Sequence, residues 1–72
     1  MEVLDYEILV QDLIPPMGGG LKHYAVIQFL FVMTDEGRKQ INPRLGESYG
    51  KTEKDARAKM QAKFDAWRKS NA

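Results

Sequence analysis

The chain contains no cysteine and only one histidine, His23. Without thiols there is no disulfide framework and no thiolate metal site, so the fold must hold by its core alone. A lone histidine leaves no His/Cys ligand set of ordinary spacing, and the acids show no convergence in sequence, so neither metal nor cofactor is expected. Long apolar runs are missing too. The longest, Tyr24 to Met33, is broken by Gln28 and is far too short to span a bilayer. The N-terminal Met-Glu-Val-Leu-Asp has no basic stretch and no small-residue cleavage site. A soluble, cytoplasmic protein with no membrane partner is the expectation. Repeats and low-complexity tracts are absent as well.

What is present is a small domain with its charges sorted by half. At 72 residues the chain forms one domain, spanning 1–72, whose core supplies only a few kcal/mol of net stability. Residues 1–37 hold six acids against one base, Lys22, for a formal charge of −5, whereas residues 38–72 hold ten bases against four acids, for +6. The net charge of +1 conceals this division. A one-sided basic half is a footprint that an anionic partner can use.

Three extended segments and one helix are expected. Residues 3–11 alternate as a half-buried strand, with Leu4, Tyr6, Ile8 and Val10 on one face and Asp5, Glu7 and Leu9 on the other. Residues 14–21 carry Pro15, Pro16 and three glycines and read as a flexible loop. Residues 22–33 are β-branched and aromatic on both faces, Tyr24, Val26, Leu30 and Val32 against Ala25, Ile27, Phe29, Phe31 and Met33, the pattern of a central strand. Thr34-Asp35-Glu36-Gly37 supplies turn chemistry, and residues 39–48 form a weaker third strand that Pro43 places at an edge. From 53 to 69, Thr52 with Asp55 makes a capping-box variant, and Ala56, Met60, Phe64 and Trp67 form one apolar stripe. The fold class is α+β, a three-stranded antiparallel β-meander with one C-terminal α-helix packed on one face. One helix covers one face only, so the second apolar face of the central strand needs a loop, a second copy or a target.

Catalytic motifs lead nowhere. Gly46-Glu47-Ser48-Tyr49-Gly50-Lys51-Thr52 has three residues between its glycines where a phosphate-wrapping P-loop needs four. A Ser-His-acid arrangement would have to bring His23 to Ser48 beside a turn or to Ser70 in the tail. No enzyme is expected, and no catalytic residue is assigned. The bases carry more information: Arg38, Lys39 and Arg44 on or near the third strand, and Lys51, Lys54 and Arg57 at the helix start, are the candidate contacts for nucleic-acid phosphates or for a partner. Met17, Leu21, Tyr24, Phe29 and Phe31 are the candidate protein-binding surface.

The stretch Arg44-Leu45-Gly46, Tyr49-Gly50 and Thr52-Glu53-Lys54-Asp55-Ala56-Arg57-Ala58-Lys59 resembles the end of the arm-type DNA-binding domain of phage and mobile-element tyrosine recombinases. That resemblance implies a three-stranded sheet entering the major groove with a helix behind it. Thr52-Glu53-Lys54-Asp55-Ala56-Arg57 is also similar to the run that opens the last helix of a double-stranded-RNA-binding domain. The expected function is accordingly a non-enzymatic nucleic-acid-binding module of phage or mobile-element type. The alternative is a phage-type regulator or inhibitor, in the host cytoplasm, that binds a host protein complex such as RNA polymerase or a defence complex. A homodimer through the open sheet face is compatible with either.

Overall fold

The computed structural model describes residues 1–71, apart from the side chain of Met17. It is an antiparallel sheet with one helix across one face, extending 44 × 19 × 16 Å. The expected architecture is the observed one. Strand β1 runs Glu2–Met17, a short 3-10 turn occupies Gly18–Gly20, and β2 runs Leu21–Thr34. Strands β3 (Gly37–Gln40) and β4 (Ser48–Gly50) follow, then helix α1 (Glu53–Ser70). β2 is central, with β1 along one edge and both β3 and β4 along the other.

Three boundaries differ from the sequence reading. The segment expected as a flexible loop over 14–21 is mostly strand, with β1 continuing through the prolines to Met17. Pro15 and Pro16 are exposed on an edge strand, where a missing N–H costs no ladder bond. The register there jumps from Asp12 opposite His23 to Met17 opposite Leu21, so the residues between bulge out of the pairing. The expected third strand over 39–48 is split: β3 pairs with residues 31–34 of β2 and β4 with residues 23–25. Pro43 and a left-handed Arg44 (φ 55°) interrupt it, with Asn42 Oδ1 accepting from the Arg44 N–H at 2.9 Å. The β2–β3 turn follows expectation, with Gly37 at φ 106° and Thr34 Oγ1 accepting from the Glu36 N–H.

The third difference is the most consequential. Ile8 pairs with Ile27, but Glu7 pairs with Phe29, so Gln28 is an extra residue in β2. A single inserted residue reverses the sidedness of everything beyond it. Ala25, Ile27, Leu30 and Val32 therefore share the face beneath the helix, while Tyr24, Val26, Phe29, Phe31 and Met33 share the other. A similar offset at Leu4 turns Val3, not Leu4, toward the helix, and Leu4 is left 40% exposed.

The helix face is the core. Ala56, Met60 and Phe64 are fully buried against Ile8, Ala25, Leu30 and Val32, with Trp67 packed at the end of the stripe. Phe64 stacks on Tyr6 at 4.2 Å between ring centroids, and Trp67 stacks on Phe64 at 5.8 Å. The Tyr6 hydroxyl accepts from Gln61 Nε2 at 3.1 Å, which ties the helix to β1. At its start, Thr52 Oγ1 accepts from the Asp55 N–H at 3.0 Å, and Asp55 Oδ2 accepts from the Lys51 N–H at 3.3 Å. Gly50 allows the helix its close approach: a Cβ there would lie 2.4 Å from the backbone nitrogen of Ala56. None of the described helical residues belongs to a helix long and apolar enough to cross a membrane.

Candidate interaction surface

The face of the sheet away from α1 is left bare. Its centre is β2, where Tyr24, Val26, Phe29 and Phe31 are half-buried and Met33 is 42% exposed. The register sets Gln11 beside Tyr24, Leu9 beside Val26, Glu7 beside Phe29, Asp5 beside Phe31 and Glu2 beside Met33. On the opposite edge Tyr49 lies beside Tyr24, Gln40 beside Phe31 and Arg38 beside Met33. Phe29 and Phe31 contact each other at 5.5 Å, and the Arg38 guanidinium sits 4.5 Å above the Phe31 ring. An aromatic strip thus runs along the sheet, with acids on the β1 side and one base on the β3 side. At the β4 end, the Tyr49 hydroxyl donates to the Glu47 carboxylate. That hydrogen bond, with some burial and the repulsion between the two negative charges, raises the Tyr49 pKa above the ordinary phenol value.

Of the proposed protein-binding residues, Tyr24, Phe29 and Phe31 come together on this face. The sequence reading had set Tyr24 on the opposite face from Phe29 and Phe31, and the Gln28 bulge unites them. Leu21 alternates with His23 and Ala25 and so belongs to the helix side, while the side chain of Met17 lies outside the described residues. Missed at the sequence level were Val26, Met33 and Tyr49 on the strip and Glu2, Asp5 and Glu7 at its border. The one available signal was Gln28 itself, a lone polar residue in an apolar run.

The six candidate bases do not form one surface. Arg38 lies on the bare face, whereas Lys39, opposite the buried Val32, lies on the other and pairs with Glu36. Arg44 sits in the connection between β3 and β4. Lys51 and Lys54 are exposed at the helix entry, and Arg57 Nη1 donates to the Ile8 carbonyl of β1 at 3.3 Å. Two further helix lysines serve the fold: Lys59 Nζ donates to the Tyr49 carbonyl and Lys63 Nζ to the Glu47 carbonyl, each at 2.8 Å. Both pin the β3–β4 connection and β4 to α1. The P-loop-like stretch is no phosphate cradle, since residues 48–50 are paired into the sheet and Asp55 fills the first helical turn.

Beside that connection, two open depressions of about 350 and 410 Å³ flank Ile27 and Pro43. Neither encloses a constellation of nucleophile, base and acid. No protein-family model matches the chain, and no curated protein and no solved structure matches it either.

Proposed function

We propose that this chain is a small non-enzymatic binding module that acts as a regulator or inhibitor by docking its helix-free sheet face on another protein. The observation that carries this reading is the contiguous strip of Tyr24, Val26, Phe29, Phe31 and Met33, left uncovered by α1. Aromatic and methionine side chains half-exposed in one patch are the composition of a protein interface core.

The partner is a protein with an apolar ridge bordered by Lys and Arg. The bare face carries Glu2, Asp5 and Glu7 on the β1 side against Arg38 on the β3 side and Lys22 at the far end of β2, so complementarity asks for positive charge along the β1 side. The same count disfavours a second copy. Two such faces packed together would bring six acids and four bases into one interface. It disfavours a nucleic acid on this face as well, because three carboxylates would meet phosphates. On the remaining surfaces, the bases are dispersed or bound to the fold's own carbonyls.

The test combines sedimentation with affinity capture. The purified chain is expected to sediment as a monomer, and to capture from nuclease-treated lysate a partner whose binding is lost in Phe31→Asp and weakened by Asp5→Lys. Lys54→Glu should leave that binding intact. A stable dimer, capture that disappears with nuclease, or capture equal for Phe31→Asp and the parent chain would each overturn the reading.

A further inference from the structure

Three side chains from three separate elements meet at the other end and face of the molecule. Asp12 of β1 and His23 of β2 are direct cross-strand neighbours, and Glu53 opens α1. One donor atom from each lies within 4.8 Å of the other two. His23 Nδ1 is 2.9 Å from Asp12 Oδ1, yet it is out of alignment for a hydrogen bond, and it is buried without a partner. A buried ring nitrogen with no hydrogen bond costs free energy unless something occupies it. Among the described residues the Glu53 carboxylate has no hydrogen-bond or ion-pair partner. Nor is Lys22, Lys51 or Lys54 ion-paired to Asp12 or Glu53.

We propose that Asp12, His23 and Glu53 form a site for a divalent transition metal of the Zn²⁺ type, with water completing the shell. Zn–N and Zn–O bonds of about 2.0–2.2 Å at tetrahedral to right angles place neighbouring donor atoms about 2.9–3.5 Å apart. The His23–Asp12 separation of 2.9 Å already falls in that range. Glu53 is exposed, so rotation of its side chain closes the remaining gap. One imidazole and two carboxylates suit a borderline cation better than a hard one such as Mg²⁺, which prefers an all-oxygen octahedron. The ion would join β1, β2 and the helix start, the staple that a cysteine-free chain of this size otherwise lacks. The site lies on the helix side of the sheet, so it stands or falls separately from the proposed docking face.

The test uses the full chain freed of metal by chelation. Calorimetric titration with ZnCl₂ should show one equivalent bound, thermal unfolding should shift upward with Zn²⁺, and the His23 ring resonances should move on addition. His23→Gln and Glu53→Gln should each weaken binding by at least about tenfold. Glu36→Gln, in the β2–β3 turn, should leave it unchanged. Absence of uptake at millimolar Zn²⁺, static His23 resonances in the parent chain, or uptake that persists in Glu53→Gln would overturn the proposal. The Glu53 variant alters only an exposed side chain, and the resonance measurement needs no variant at all.

Discussion

The two faces of β2 are both apolar and have opposite fates. Beneath the helix, Ala25, Leu30 and Val32 are completely buried, while on the other side Phe29 and Phe31 remain half-exposed although they are larger. Hydrophobicity alone does not decide which face becomes core. The decision comes from α1, whose stripe of Ala56, Met60 and Phe64 presents small residues near Gly50 and large ones toward Trp67. It therefore needs a wedge-shaped seat. Ala25 and Gly50 supply the shallow end, and Leu30, Val32 and Tyr6 the deep one. The aromatic face does not offer that gradient, and the helix leaves it uncovered.

Gln28 is the extra residue that takes up the offset between the two halves of β2. Deleting it joins Ile27 directly to Phe29, which restores strict alternation with Ile27, Leu30 and Val32 still on the helix side and Val26, Phe29 and Phe31 still on the other. Cooperative thermal unfolding, read by near-ultraviolet circular dichroism, should therefore survive the deletion. A deletion variant that loses cooperative unfolding would show that the fold needs the bulge itself and not only the sidedness it sets.

A harsher comparison substitutes one aromatic on each face. Phe64→Ala removes a fully buried ring stacked on Tyr6 and should cost about 3–5 kcal/mol in denaturant unfolding, close to the total available to a domain this small. Phe31→Ala removes a half-exposed ring whose contacts are Phe29 and Arg38, and should cost about 1 kcal/mol or less. Comparable losses at the two sites would mean that the bare face is part of the core and has no room for a partner.

The elements that follow from local chemistry were legible in the sequence. The helix, its Thr52–Asp55 cap and its stripe depend on spacing within one turn or two, and all appear where the pattern predicts. The β2–β3 turn follows from Thr34 and Gly37 in the same way. The sidedness of β2 was not legible, because a bulge depends on how two strands register, and the alternation rule assumes none. The fate of the bases was hidden for a related reason. Lys59, Lys63 and Arg57 look like a solvated or phosphate-binding face in the helical pattern, but their acceptors are carbonyls of residues 10 to 49 positions away in chain order, which the helix sequence does not display. The meeting of Asp12, His23 and Glu53 is equally a product of topology, since no ligand spacing in the chain announces it.

The smallest expected effect probes the border of the bare face by titration. Glu47 accepts the Tyr49 hydroxyl and so favours the neutral phenol in the folded chain. With the folded-state pKa raised, this contribution to stability is fully present below the unfolded tyrosine pKa of about 10 and is lost as pH climbs through the folded value. Glu47→Gln replaces the carboxylate by a neutral amide, which removes the repulsion toward the phenolate. Phenolate absorbance should then show Tyr49 titrating at lower pH in Glu47→Gln than in the parent chain. An unshifted Tyr49 would mean that the carboxylate is turned to solvent, and that the negative border of the aromatic strip ends at Glu7 on the β1 side.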